Sequence, residues 1–172
     1  MGTGVLLWRL LRSHGAVRAA TFALLRTVEA AVIIAGTLPM LASVWVDDAH
    51  GLWKASASAV HTASFLIGQG LVISVNTIVL GWLLWDSRAV PRTLAALGAI
   101  GGTIVLASNL AQLWEAIPLN GVLAGTAAAL IFAFEVWLAI YLIAVGLRPF
   151  TPDASSQQGR TARRSTNYGG GL

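Results

Sequence analysis

Four long apolar stretches alternate with short polar segments along the chain, and this pattern predicts membrane-spanning helices. The stretches run roughly over residues 22–46, 59–85, 93–114 and 122–147. Each has about 20 residues or more, enough to cross a hydrocarbon core of about 30 Å at 1.5 Å per residue. The pattern therefore predicts an all-α integral membrane bundle of four transmembrane helices.

The segments that flank these spans have different compositions. Residues 1–20 mix arginines with leucines and tryptophan, as do helices that lie at a membrane surface. Residues 151–172 are rich in Ser, Thr, Gln and Gly, a composition typical of disordered tails. We therefore divide the chain into a basic amphipathic N-terminal segment (1–20), a transmembrane four-helix bundle (21–150) and a disordered cytoplasmic tail (151–172).

Composition agrees with lipid as the solvent and excludes several kinds of chemistry. Only 10% of the 172 residues are charged and 56% are hydrophobic, whereas a soluble domain carries about 25% charged residues. The chain has no cysteine, which excludes disulfides, thiolate metal ligands and thiol nucleophiles. It also lacks a phosphate loop, a dinucleotide fingerprint and a zinc motif. We therefore expect no metal and no cofactor.

The basic residues predict how the chain is oriented. With the N-terminus in the cytoplasm, ten of the eleven basic residues fall in cytoplasmic segments and only Lys54 falls outside. Because positive charge is retained on the cytoplasmic side, both termini are predicted to be cytoplasmic. The net charge of +4 is explained by this placement, and no nucleic-acid partner is expected. The cytoplasmic set is Arg9, Arg12, Arg18, Arg26, Arg88, Arg92, Arg148, Arg160, Arg163 and Arg164.

Polar side chains inside the spans are the candidate functional residues, since each is costly to insert and normally faces the bundle interior. Glu135 is predicted to lie about 18 Å from the inner end of the fourth span, with no Lys or Arg at its depth. Asn76 is predicted about 13 Å deep, within possible hydrogen-bonding reach. Glu29, only about 9 Å deep, is expected to form a structural ion pair with Arg26 three residues earlier. Asn109 could line a cavity in the outer half.

Small residues at four-residue spacing predict helix-packing surfaces on the third and fourth spans. Helices in lipid associate through close packing and hydrogen bonds, and small residues let backbones approach. We expect these ridges to serve contacts within one chain in preference to a dimer. They comprise Gly98 and Gly102 on the third span, and Gly121, Gly125, Ala129 and Ala133 on the fourth.

An ordered set of short motifs resembles a large bacterial family of multi-pass membrane proteins catalogued only as a domain of unknown function. The resemblance covers roughly residues 20–150. It implies a helical bundle in a bacterial plasma membrane, without an established activity, in which Glu29, Asn76, Pro91, Arg92 and Glu135 match recurring positions. Family members carry further transmembrane sequence before the Arg26-Thr27-Val28-Glu29 motif, where this chain has residues 1–20. The other motifs are His61-x-x-x-Phe65-x-x-Gly68-x-Gly70, Gly81-Trp82-Leu83-Leu84 after Asn76, Ser87-Arg88-x-Val90-Pro91-Arg92, Leu97-Gly98, and Glu135 followed by Leu138 and Gly146.

These observations leave three functions open. The preferred one is a non-enzymatic binder or transporter of a small or amphipathic molecule, with Glu135, Asn76 and Asn109 as ligand-binding residues. The second is a lipid-modifying enzyme, such as an isomerase or cyclase, with Glu135 as the catalytic acid and Glu29 as a second carboxylate; it requires both on one cavity. The third is an accessory subunit without chemistry. The expected partners are the lipid bilayer and either a second copy or other membrane subunits.

Overall fold

The described part of the chain is helical throughout, with short turns between the helices. The computed structural model describes residues 2–46, 51–119 and 121–146. Within them, four helical stretches are long and apolar enough to cross a membrane, which confirms the predicted fold class. The predicted tail, 151–172, lies outside the described residues. The elements are α1 (Gly2–Ala42), α2 (Leu52–Phe65), a π-helical segment (Leu66–Val72), α3 (Ile73–Ser87), α4 (Arg92–Leu113) and α5 (Val122–Ala144); α2, the π segment and α3 form one continuous span.

Helix α1 is broken at Gly15, and its first part folds back along its second part. The Gly15 backbone has φ 173° and ψ 84°, outside the helical range. Gly4 consequently faces the second part of the helix, where a Cβ on Gly4 would lie 3.3 Å from Arg26 Cβ and 3.6 Å from Ala23 Cα. The absence of a side chain at Gly4 allows this close antiparallel contact.

The N-terminal segment therefore packs into the bundle, whereas the sequence had suggested a helix at the membrane surface. Leu7 and Leu11 are buried in the main core with Phe22, while Arg9 and Arg12 remain exposed. An amphipathic pattern fits a helix docked on a bundle as well as one lying on lipid headgroups, so the pattern alone could not distinguish them.

The main core lies at one end of the bundle, where α3 ends and α4 begins. Leu83 and Leu84 of α3 and Leu94 of α4 are fully buried there, and Phe134 of α5 joins them. Arg18 pairs with Asp86 at the same end, which ties α1 to the end of α3.

Glycines bring α4 close to its two neighbours. A Cβ on Gly81 of α3 would lie 2.5 Å from the backbone nitrogen of Ala99 in α4. A Cβ on Gly102 would lie 2.9 Å from the carbonyl oxygen of Ser74, while one on Gly98 would lie 2.7 Å from the Phe134 ring. The predicted ridge on the third span thus serves two helices, because Gly102 faces α3 and Gly98 faces α5.

The ridge predicted on the fourth span is not the packing face of α5. Ala129 and Ala133 are exposed, no atom lies within 4 Å of a Cβ placed on Gly125, and Gly121 meets only Pro118 of its own turn. The ridge expectation is corrected because large side chains of α5 fill the space that the glycines of α4 leave. The buried residues of α5 are Ala127, Ile131, Phe134 and Leu138.

Replacing Gly81 should destabilise the protein, and Gly125 provides a matched control. Gly81→Ala forces a methyl group into the α4 backbone, for which we expect a loss of about 1–3 kcal/mol. Gly125→Ala adds the same methyl where there is open space. Thermal unfolding in detergent micelles should show a lower midpoint for Gly81→Ala alone, and equal midpoints would contradict the proposed close contact.

Candidate functional site

A cluster of four polar residues joins three helices well inside their apolar stretches. Arg26 of α1 lies with its Nη1 3.1 Å from Glu29 Oε2 and its Nη2 2.5 Å from Glu135 Oε1 of α5. Its Nε donates to Asn76 Oδ1 of α3 at 3.1 Å, with the Asn76 amide oriented to satisfy its neighbours. We call Arg26, Glu29, Asn76 and Glu135 the Arg26 cluster. Every guanidinium nitrogen in it has a partner.

Asn76 fixes the geometry of the cluster from the centre of the bundle. Its side chain is fully buried. In the same amide orientation its Nδ2 donates to the carbonyl oxygen of Phe22 at 3.2 Å. The Phe22 ring lies under the guanidinium, with Arg26 Cζ 5.9 Å from the ring centroid. Arg26 is thereby held on one side by an aromatic face and on the others by hydrogen bonds.

The structure corrects the expectation that Glu135 has no basic residue at its depth. Depth in the first span was counted from about Phe22, but α1 continues unbroken from Gly15. Arg26 lies 11 residues beyond Gly15 and Glu135 lies 9 residues before the end of α5 at Ala144, which correspond to about 16 Å and about 14 Å along the helices. The two residues therefore meet at the same level.

The predicted Arg26–Glu29 pair is present, but it is part of a larger arrangement. Glu29 is the more buried carboxylate, with a side-chain exposure of 8% against 39% for Glu135. The sequence predicted different depths for Glu29 and Glu135, but in the structure both carboxylates pair with the Arg26 guanidinium. Sequence spacing identified the local pair, while the contact across 109 residues required the fold.

A separate cavity of about 390 Å³ lies between α2, the π segment, α4 and α5. One side is formed by α2, the π segment and α4. It carries the polar lining residues beside Phe65, Leu66, Gly70 and Val105, and we call it the polar wall. The opposite wall, from α5 and the turn before it, consists of Leu119, Ala124, Gly125 and Ala128. The polar wall contains His61, Thr62, Gln69, Ser108, Asn109 and Gln112.

The π segment shapes the polar wall of this cavity. It supplies Leu66, Gln69 and Gly70 to the lining. Gly70 packs directly on Asn109, where a Cβ would lie 2.8 Å from Asn109 Oδ1. Segments of π-helix shift side chains out of α-helical register and occur often at functional sites. No periodicity in the sequence indicated this segment, although the glycine pair at positions 68 and 70 is visible there.

Two buried polar atoms of the cavity have no hydrogen-bond partner among the described residues. They are Nδ1 of His61 and Oγ of Ser108. Asn109 and Gln112 are engaged in part, because Asn109 Nδ2 donates to the carbonyl oxygen of Val105 at 2.8 Å and Gln112 Nε2 donates to Asn109 Oδ1 at 3.2 Å. Buried polar atoms are normally paired, so these two atoms are exceptions within the described part of the chain.

The candidate residues named from the sequence thus fall into two places. Asn109 lines the cavity, together with Gln112 and His61. Glu29, Asn76 and Glu135 belong to the Arg26 cluster and do not line the cavity. Ser108 and Gln69 were not singled out from the sequence, because neither carries a charge and neither belongs to a spacing pattern. Among the described residues, no group of three His, Asp or Glu side chains is arranged to hold a metal ion.

One protein-family model matches most of the chain. The model described as "Domain of unknown function (DUF4386)" matches residues 1–146. The chain belongs to the DUF4386 family. The match confirms the resemblance drawn from the motifs and also takes in the N-terminal segment. Comparison of this DUF4386 protein with curated proteins and with solved structures finds no match.

The ion pair between α1 and α5 should couple the two helices energetically. We expect a double-mutant cycle of Arg26→Gln and Glu135→Gln to give an interaction energy of about 1–3 kcal/mol, within the range for residues of one ion-pair network. Arg18→Gln with Asp86→Asn is the matched control. Both side chains of that pair are 41% exposed, for which about 0.2–1 kcal/mol is typical.

The measurement is the free energy of unfolding in mixed micelles for each single and double variant. A coupling between Arg26 and Glu135 no larger than that between Arg18 and Asp86 would contradict the role of the Arg26 cluster in joining the helices.

Proposed function

We propose that this DUF4386 membrane protein binds or carries a small amphipathic molecule, and that the cavity between α2, α4 and α5 is its binding site. The observation that carries this proposal is the cavity itself, of about 390 Å³, because ligand sites in proteins fall in the range of about 300–1,000 Å³. Its two unlike walls suit a molecule with one polar and one apolar side.

Access to the cavity is available from the side of the helices. Phe65, Gln69, Gly125 and Ala128 line it and are also exposed. Helix α5 packs along α4, while α2 packs on α1, which leaves the space between α2 and α5 for a ligand. A molecule dissolved in the bilayer can enter by this route without crossing a packed interface.

The Arg26 cluster supports this function by holding the helices around the cavity. A Cβ on Gly68 of the π segment would lie 3.1 Å from Ile33 Cγ1 and 3.5 Å from the carbonyl oxygen of Glu29, both in α1, and Gly70 packs on Asn109. The π segment therefore lies between the cavity and α1, the helix that carries Arg26 and Glu29. In this proposal Glu135 and Asn76 tie α5 and α3 to α1 outside the cavity, and Asn109 belongs to the surface that meets the ligand.

The lipid-modifying enzyme is the second candidate, favoured by the meeting of Glu29 and Glu135 on one guanidinium. Catalysis requires a carboxylate within hydrogen-bonding reach of the substrate. Both carboxylates are instead bound to Arg26 and neither lines the cavity. The geometry therefore supports binding better than acid catalysis.

Filling the cavity should remove the bound molecule, whereas changing the Arg26 cluster conservatively should not. Ala128→Leu extends a side chain from the cavity wall. Ala133→Leu makes the same change on an exposed face of α5 outside the cavity. Mass spectrometry of lipids and metabolites that co-purify with the protein should show one species depleted at least fivefold by Ala128→Leu alone.

Glu135→Gln provides the comparison between the two sites. It preserves the shape of the side chain and leaves the cavity lining intact, so the co-purifying species should be retained. Loss of that species in Glu135→Gln, with no loss in Ala128→Leu, would assign the ligand to the Arg26 cluster and overturn the proposed site.

We further propose that both termini are cytoplasmic, in a plasma membrane. Arg18, Arg88 and Arg92 gather at the end of the bundle where α3 ends, and Lys54 lies at the opposite end, where α2 begins. The excess of positive charge at the first end supports its assignment to the cytoplasm.

Cysteine labelling tests this orientation cleanly, because the natural chain has no cysteine. Ala116→Cys places a thiol in the turn between α4 and α5, and Thr93→Cys places one at the start of α4; both positions are exposed. In intact cells a membrane-impermeant maleimide should label Ala116→Cys at least tenfold more than Thr93→Cys. Permeabilisation should equalise them, and the reverse pattern would invert the topology.

A further inference from the structure

We infer that the end of the bundle where α3 meets α4 is a docking surface for the headgroups of anionic phospholipids. This inference goes beyond the proposed function and does not depend on the cavity. It rests on the exposed charges at this end, on the way two guanidinium groups are held, and on the apolar side chains beside them. The surface, which we call the basic end, comprises Arg9, Arg12, Arg88 and Arg92 with Trp8 and Trp85.

The four arginines belong to two parts of the fold that meet in the main core. Leu11 of the N-terminal segment and Ala89 of the α3–α4 turn are fully buried in the same core cluster. Arg12 follows Leu11 directly, and Arg88 precedes Ala89 directly. The remaining two arginines lie within four residues of these in the sequence. The N-terminal segment and the turn therefore present their basic side chains at one end of the bundle.

The basic end has an excess of positive charge. All four of its arginines are exposed, and none pairs with a carboxylate among the described residues. Asp86, the acidic residue described at this end, is bound to Arg18. At the opposite end the described residues include Lys54 and Glu115, whose charges cancel. The excess charge suits an anionic partner from outside the chain.

Two of the guanidinium groups are held in place by tryptophan rings. Arg12 Cζ lies 5.6 Å from the ring centroid of Trp8, one helical turn earlier. Arg92 Cζ lies 5.5 Å from the ring centroid of Trp85, across the α3–α4 turn. The ring attracts the charge of the guanidinium without using a hydrogen-bond acceptor on the protein, so N–H donors remain for phosphate oxygens.

The surroundings of these arginines favour a lipid over a soluble anion or an acidic protein. Leu6 and Leu10 are exposed beside Trp8 on the N-terminal segment, and Trp82 is exposed one turn before Trp85. Apolar side chains and tryptophans next to arginines are typical of the boundary between hydrocarbon and headgroups. Acyl chains can cover the apolar side chains while the phosphate of the same lipid reaches the arginines.

Binding of headgroups at the basic end stabilises the docked N-terminal segment. Arg9 and Arg12 lie on that segment, whereas Arg88 and Arg92 lie on the turn against which it packs. The like charges of the two parts repel each other, and salt screens exposed charges only over distances beyond about 8 Å. Negative phosphate groups bound to both parts offset this repulsion.

Native mass spectrometry of the full chain tests the lipid preference. The protein is placed in mixed micelles with equal amounts of phosphatidylglycerol and phosphatidylcholine of the same acyl chains, and the lipids that remain bound are counted. We expect phosphatidylglycerol to be bound in excess. Arg12→Gln and Arg92→Gln should each lower this excess by about fivefold, the effect of one basic residue near an anionic surface.

Two variants and one competitor serve as controls. Lys54→Gln removes the same charge from an exposed position at the opposite end, so the excess should be unchanged. Arg12→Lys keeps the charge and should retain most of the binding, which separates loss of charge from loss of folding. Inorganic phosphate should displace phosphatidylglycerol no better than sodium chloride does at the same ionic strength.

Hydrogen exchange in nanodiscs tests the effect on the N-terminal segment. Backbone amides of residues 2–14 should exchange about fivefold more slowly when a quarter of the lipid is phosphatidylglycerol than in phosphatidylcholine alone, the protection expected from one neutralised arginine. Arg92→Gln should reduce this difference, although the changed residue lies outside the segment.

Three results would overturn the inference. The first is equal binding of the two lipids, and the second is a loss of preference in Lys54→Gln as large as in Arg12→Gln. The third is displacement by inorganic phosphate beyond the effect of salt, which would assign the basic end to a soluble anion. Unchanged exchange of residues 2–14 would overturn the stabilisation of the N-terminal segment by lipid. The cavity is tested separately, by the species that Ala128→Leu depletes.

Discussion

A guanidinium at membrane depth must be neutralised where it lies, and the way Arg26 meets this requirement organises the bundle. In the hydrocarbon core of a bilayer water is scarce, so a charge on a spanning helix is stabilised by partners from the protein. Glu29 comes from the same helix, Asn76 from α3 and Glu135 from α5. Because α5 otherwise packs mainly on α4, the bond to Glu135 also fixes its position relative to α1.

In lipid, close packing stabilises helix association in place of hydrophobic burial. Apolar side chains gain little by leaving a hydrocarbon solvent, so helices must approach closely enough for dispersion and backbone contacts to hold them. Gly81 and Gly102 provide this approach between α3 and α4, and Gly98 receives the Phe134 ring of α5. The glycines therefore determine which faces of the helices meet, and the Arg26 cluster fixes the depth at which they meet.

The sequence predicted those features that depend on local patterns. Hydropathy predicted the four apolar spans, and the three-residue spacing predicted the ion pair between Arg26 and Glu29. The contact of Arg26 with Glu135 was missed because the inner boundary of the first span was set near Phe22. In the structure the uninterrupted second part of α1 begins directly after the break at Gly15. The ridge on α5 was misassigned because spacing shows that small residues share a face but does not show what the face meets.

The cavity lay beyond sequence reasoning for a related reason. Its polar wall depends on a change of helical register over Leu66–Val72, which no repeat of apolar positions reveals. Within this segment Gly68 faces α1, where a Cβ would meet Ile33, Val32 and the carbonyl oxygen of Glu29, and Gly70 faces Asn109 of α4. The two glycines therefore allow the π segment to lie close to α1 on one side and to α4 on the other. Which glycines face a neighbouring helix depends on how the helices pack, and the sequence does not show that packing.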